Sequence, residues 1–245
     1  MGTIFVRPCT IDYQCTVILQ LYKDLDIKHI WGVNMTHKTK QHLKMMKDIY
    51  TVSSELGIKT FVWGGYAVDI LHGELTREHS DLDCFTENLV ENLDALKEKY
   101  EARGYAIGFY YDDFWMLNIK KGDVHATFNT VRNIGGIAHW HHAGPQGTVF
   151  FPYAWLDNEP RLFYSAHVYT FGIEMAYVLK TNVKLVSPEW AQKEPREKDK
   201  ADILILEQIL SSRGICKDDI KKKVWSHNPY WYELGYEEYY FPIRL

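Results

Sequence analysis

Two hydrophobic rhythms alternate along the chain. From Thr36 to Leu56, Leu43, Met46, Tyr50 and Ser53 recur at helical spacing with lysines between them, and Gly57 stands where such a helix would stop. A short apolar run, Thr60-Phe61-Val62-Trp63, then reads as a buried strand running into Gly64-Gly65, with a short helix over Ala67–Leu71 ending near Gly73. Leu82–Phe85 reads as a second strand and Leu89–Arg103 as an amphipathic helix closed by Gly104. Three strand-like runs follow, Tyr105–Tyr111, Phe114–Ile119 and Val124–Val131, with turns at Asp112-Asp113 and Lys121-Gly122. Gly135-Gly136 marks a further hairpin and Thr148–Trp155 a further strand. Beyond His167 the pattern turns helical again, over Phe171–Lys180 and Asp199–Leu210, the latter with a stripe of Ile203, Leu206, Ile209 and Leu210. The order predicts an α+β fold, a mixed sheet flanked by helices with further helices at the C-terminal end. A soft boundary near Ala166 divides a main domain, residues 1–166, from a helical and aromatic segment, residues 167–245. The first 35 residues show no clear period; Val17-Ile18-Leu19 suits a helix or a strand.

Composition narrows the setting. The 245 residues are 46% apolar and 24% charged, ordinary for a globular protein with a real core. Twenty-eight basic against 32 acidic residues leave a formal charge of −4, which argues against a nucleic-acid-coating protein. No segment approaches the roughly 18–20 apolar residues a membrane helix needs. Cys9, Cys15, Cys84 and Cys216 form no Cys-x-x-Cys and read as free thiols. A cytoplasmic protein is expected. Aromatics reach 15%, and Trp225–Phe241 holds eight of them, a segment expected to dock as a tail or to form one wall of a cleft. His139-Trp140-His141-His142 is expected in a loop or cleft wall, and Lys221-Lys222-Lys223 on a solvated helix face.

The segment that carries chemistry is Trp63-Gly64-Gly65-Tyr66-Ala67-Val68-Asp69 followed by Thr76-Arg77-Glu78-His79-Ser80-Asp81-Leu82-Asp83. Asp81 and Asp83 are two apart at a strand start, so their carboxylates project to one side. Adjacent carboxylates repel, and a hard cation such as Mg²⁺ relieves that repulsion. Gly64-Gly65, between a strand and a helix, lets a phosphate approach backbone N–H groups at a helix start. Arg77 and His79, just ahead of the acidic pair, suit charge-assisted donation to phosphate oxygens.

This combination resembles the nucleotidyltransferase superfamily of DNA polymerase beta, where Gly-Gly or Gly-Ser precedes an Asp-x-Asp. Within it, the stretch looks like the lincosamide and aminoglycoside nucleotidyltransferases of antibiotic resistance. The close likeness covers residues 62–85, a looser one reaches about 130 and resumes at 173–206, and residues 1–35 and 211–245 carry none. The resemblance implies a third carboxylate on a neighbouring strand. Asp123, in Gly122-Asp123-Val124-His125, is its candidate, in competition with Asp112 and Asp113; Gly122 stands where the family usually has an apolar residue. His125, on the same strand face as Asp123, either orients a metal ligand or is an inward histidine. Lys180, after an apolar helix, and the run Arg196-Glu197-Lys198-Asp199-Lys200-Ala201-Asp202 resemble the helical part that flanks the nucleotide in this family.

The expected function is therefore nucleotidyl transfer. Two Mg²⁺ would be held by Asp81, Asp83 and Asp123, and Asp123 would take the acceptor's proton. The triphosphate of ATP or another NTP would be held by Gly64, Gly65, Arg77, His79, Lys180 and Lys198. The acceptor would be a small hydroxylated molecule such as an aminoglycoside or lincosamide, with no role for nucleic acid or membrane. Two alternatives differ in class: a toxin-like enzyme acting on tRNA or protein, and a non-catalytic nucleotide-binding protein.

Overall fold

The two short apolar runs around Gly64-Gly65 and the acidic pair become the centre of a mixed sheet. A computed structural model describes residues 35–111, 116–141, 148–181, 196–221, 223 and 225–227. The chain divides into two units, residues 1–35 and 36–245, and all elements described here belong to the second.

Helix α1 (His37–Glu55) opens on Thr36, whose hydroxyl accepts from the Thr39 N–H at 3.1 Å. It buries Leu43, Met46 and Ser53 of the expected stripe, with Met45, Ile49 and Val52 beside them. Strand β1 (Thr60–Trp63) leads directly into α2 (Gly64–His72). Strand β2 (Leu82–Glu87) follows, then α3 (Leu93–Ala102), four residues shorter at its start than the expected Leu89 onset. Asn88 adopts φ +49°, and the chain makes a turn through residues 88–92 before the helix can begin.

Strands β3 (Ala106–Tyr111), β4 (Met116–Lys121), β5 (Val124–Ile134), β6 (Ile137–His141) and β7 (Thr148–Pro152) match the expected antiparallel succession, with hairpin turns at Gly122-Asp123 and Gly135-Gly136. The expected turn at Asp112-Asp113 lies outside the described residues. His139, expected in a loop or cleft wall, is instead in β6 beside Trp140. Trp140 is 1% exposed, because alternation along β6 turns its ring into the core.

Three strands fall outside the sequence expectation: β8 (Arg161–Phe163), β9 (Ala166–Thr170) and the short β10 (Trp225–His227). β9 buries Ala166, Val168 and Thr170 in strict alternation, a signal only five residues long. Helices α4 (Ile173–Thr181), α5 (Glu197–Ser212) and α6 (Lys217–Lys221) complete the described elements.

The strand order is β10-β7-β6-β5-β2-β1-β9-β8, with β4 also on β5 and β3 on β4. β1 runs antiparallel to β2 but parallel to β9, and β2 runs parallel to β5. The segment after residue 166 thus supplies a strand to the sheet as well as helices. One face of the sheet carries an aromatic core, in which Phe85 stacks on Phe171 at 4.9 Å and meets Trp140 edge-on at 4.7 Å, with α4 and α5 packed over it. No helix among the described residues is long and apolar enough to cross a membrane.

Candidate active site

A cavity of about 290 Å³ opens where β1 passes into α2, bounded by the residues leading into β2 and by α4 and α5. Its walls bring together every sequence-predicted site residue but one: Gly64, Gly65, Arg77, His79, Asp81, Asp83, Lys180 and Lys198 line it. Asp123 does not. It is exposed in the turn between β4 and β5, three residues before Ala126, which pairs with Leu82 of β2. His125, at the start of β5, also lies off the cavity wall.

Strand alternation sets up the acidic pair. Leu82 and Cys84 are fully buried on one face of the sheet, whereas Asp81 and Asp83 turn to the cavity. Asp83 lies opposite Trp63 of β1, the residue at which the strand gives way to the helix. Loss of solvent, then the charge of Asp81, push the Asp83 carboxyl up to about 7, against the pull of Lys180, Lys198 and Arg196.

The two glycines make room for the site's own side chains. Gly64 has φ +71°, and a Cβ there would lie 2.7 Å from Asp83 Oδ2. A Cβ on Gly65 would lie 2.5 Å from both Arg77 Nη2 and His79 Nδ1. Glycine at these positions therefore lets the start of α2 sit against the carboxylate and the guanidinium, and leaves its backbone on the cavity wall.

The cationic wall is tied together by aspartates that sequence reasoning left without a settled role. Asp69, fully buried on α2, accepts from the Thr76 N–H at 3.2 Å and hydroxyl at 2.6 Å through Oδ1. Its Oδ2 lies 2.6 Å from His79 Nε2. His79 Nδ1 lies 2.8 Å from Arg77 Nη1, and a guanidinium can only donate. Nδ1 is then the acceptor, and Nε2–H donates to Asp69. His79 thus has no ring nitrogen left for a phosphate; what it does is hold Arg77.

On the opposite side, Asp202 Oδ2 accepts from Arg77 Nη2 at 3.0 Å and Lys180 Nζ at 2.7 Å. Asp199 accepts from Lys180 at 3.2 Å and from Arg196 Nε and Nη2 at 2.6 and 3.2 Å. Burial raises the Asp199 carboxyl, but the hydrogen bonds and charges of Arg196 and Lys180 outweigh it and hold the group below the usual carboxylate range. Asp199 and Asp202 share one buried stripe of α5 with Leu206 and Leu210. The signal for them was in the sequence, since 199, 202, 206 and 210 keep helical spacing, but an apolar-stripe search ends at the leucines.

Among the described residues, no three His, Cys, Asp or Glu side chains converge so as to hold a metal ion. The donor set still suits Mg²⁺. Asp81 and Asp83 offer hard carboxylate oxygens, the Asp83 carboxyl is raised first by burial and then by the charge of Asp81, which a cation would offset, and Mg²⁺ commonly takes only one or two carboxylates beside phosphate oxygens and water.

The fold is shared with known proteins. The family model of the aminoglycoside-2''-adenylyltransferases matches residues 45–144, which span α1 to β6. The crystal structure of ANT(2'')-Ia in complex with adenylyl-2''-tobramycin superposes with a TM-score of 0.54 at 15% identity, over 71% of this chain and 92% of that one. The lincomycin-bound lincosamide antibiotic adenylyltransferase LnuA superposes with a TM-score of 0.52 at 20% identity, over 68% and 96%. A search of curated proteins gives no match. The chain thus shares the fold of these antibiotic adenylyltransferases, and one cavity of that fold brings together the glycine pair, the acidic pair and the cationic wall.

Proposed function

We propose that the chain transfers a nucleoside monophosphate from ATP or another NTP to a hydroxyl of a small molecule, with aminoglycosides and lincosamides as the acceptor classes to try first. The observation that carries this reading is the convergence of Asp81 and Asp83 with Gly64, Gly65, Arg77, Lys180 and Lys198 on one cavity. The acceptor class is supported by the family model and by the ligands of the two superposed enzymes.

In this mechanism Arg77, Lys180 and Lys198 bind the triphosphate, and the start of α2 offers its backbone N–H groups to it. His79 acts through Arg77 rather than on the nucleotide. Asp81 and Asp83 would hold Mg²⁺, which supplies charge neutralisation at the phosphates and at the attacking and leaving oxygens. The acceptor oxygen attacks the α-phosphorus, the bond to the bridging oxygen breaks, and pyrophosphate leaves. Asp123 is the proposed acceptor of the hydroxyl proton. It precedes β5 at the same end of the sheet at which Asp81 precedes β2, and those two strands are parallel neighbours. Positioning and charge neutralisation do most of the work, as in other phosphoryl transfers. The segment after residue 166 completes the cleft through Lys180 on α4 and through Lys198 and Asp199 on α5.

The test is incubation of the purified protein with Mg²⁺, each NTP in turn, and a panel of aminoglycosides and lincosamides, followed by mass spectrometry of the acceptor. One added nucleotide is expected on an acceptor, reduced at least about 10³-fold in Asp81→Asn and Asp83→Asn; Asp123→Asn should fall by 10²-fold or more if it is the base. Near-normal turnover in folded Asp81→Asn would sink the reading. Nucleotide bound without any modified acceptor in the panel would redirect the search to metabolites, tRNA and proteins.

A further inference from the structure

Arg77 and Lys180 stand more than a hundred residues apart in the chain, yet both end on one oxygen. Arg77 belongs to the segment between α2 and β2, Lys180 to the end of α4, and the oxygen is Oδ2 of Asp202 on α5. The Asp202 side chain is 1% exposed and does not itself line the cavity, whereas both cations do. Two like charges repel when gathered on one wall, and counter-charges offset that: Asp199, on the cavity wall, pairs with Lys180, whereas Asp202 sits behind both cations, away from the space a ligand would fill.

We propose that Asp202 is a positioning residue for the nucleotide's polyphosphate. It holds Arg77 and Lys180 side by side on the cavity wall so that their remaining N–H groups are already placed when the phosphates arrive. This rests on the nucleotidyl-transfer reading above and specifies how that site recognises its donor.

The geometry is held at both ends. Arg77 is gripped on its other side by His79, which is fixed by Asp69. The Lys180 ammonium has three N–H groups; among the described residues, Asp202 and Asp199 take two and leave one. Flexible cations are thus immobilised before binding, and that ordering need not be supplied by the nucleotide. The counter-charge also grades the site. A polyphosphate carries enough negative charge to engage both cations against their buried partner, whereas a monophosphate engages them less. Asp202 should therefore matter more for a triphosphate than for a monophosphate.

The test is calorimetric, with Mg²⁺ present and two probes, α,β-methylene-ATP and AMP, on wild type and Asp202→Asn. The readout is the ratio of the two affinities. In Asp202→Asn this ratio is expected to fall at least 10-fold, with most of the loss on the triphosphate. A purely structural role would weaken both nucleotides alike, so an unchanged ratio overturns the inference whatever the absolute affinities. If Asp202→Asn does not fold, Asp202→Glu carries the test, because it keeps the buried charge but shifts the carboxylate by one methylene. A ratio at least 3-fold below wild type supports the proposal, and a wild-type ratio overturns it. Wild type that binds neither nucleotide would overturn the nucleotidyl-transfer reading and this inference together, whereas wild type that binds both with an unmoved ratio in the variant overturns this inference alone.

Discussion

The site is decided by a few ångströms around two residues without side chains. Gly64 and Gly65 admit Asp83 on one side and the Arg77–His79 pair on the other, where any Cβ would collide at 2.7 and 2.5 Å. Gly65→Ala is therefore expected to displace Arg77 and His79 together. Displacements near 1 Å in a positioning site typically cost about 10²-fold, and overpacking costs about 1–3 kcal/mol of stability. Steady-state kinetics beside a denaturant titration would check both; a Gly65→Ala enzyme with wild-type kcat/KM would show that the close approach is not needed. The same scale reassigns a histidine. Read from sequence, His79 is a donor to phosphate, but the local donor rules leave Nδ1 accepting from Arg77 and Nε2–H donating to Asp69.

At the scale of elements, the cleft is built where strands end and helices begin. β1 delivers Trp63 and then Gly64 without a loop, so the start of α2 faces the acidic pair on the neighbouring strand. β2 serves two purposes by alternation: Asp83 faces the cavity, and Phe85, two residues on and on the same face, enters the aromatic core. Phe85 contacts Trp63 at 5.3 Å, Trp140 at 4.7 Å and Phe171 at 4.9 Å between ring centroids. Phe85→Ala is expected to destabilise the fold by about 3–5 kcal/mol, because the surrounding rings can collapse only partly into the space. Equilibrium unfolding measures this, and a loss under 1 kcal/mol would contradict the packing described. α5 works in the same double way along its length, with Asp199 and Asp202 at the cleft end of its buried stripe and Leu206 and Leu210 in the core.

Over the whole molecule, stability should depend on acid through a buried histidine. His42, on α1, is fully buried, and the Tyr66 hydroxyl lies 2.9 Å from its Nδ1. Burial lowers its pKa from 6.5 to about 4, helped by the charge of Lys38; Asp81 pulls it up, while His79 and His125 push it down. The folded value lies below the unfolded one, so as pH falls the unfolded chain takes the proton first. The contribution is complete above about pH 6.5 and is lost progressively as pH falls towards 4, by at most about 3 kcal/mol. Urea midpoints at pH 7, 5.5 and 4.5 should show this slope in wild type and a shallower one in His42→Gln; equal slopes would remove His42 as the cause.

What the chain declares locally is legible without a structure. The helix over His37–Glu55, the strand entering Gly64-Gly65, the acidic pair, the hairpins at Gly122 and Gly135 and the two late helices all follow from period, turn chemistry and caps, interactions that reach no further than a few residues. The candidate site is legible for the same reason: two carboxylates at spacing two, behind a glycine pair, form a single local sentence. Contacts between distant segments decided the rest. β9 is a five-residue alternation that becomes a sheet strand only because β1 is there to pair with it. The exposed position of Asp123 depends on where the β4–β5 turn falls relative to the ladder on β2. Asp202 has no meaning until α5 brings it to Arg77 and Lys180, since a carboxylate's role is set by the charges folded against it, and those come from elsewhere in the chain.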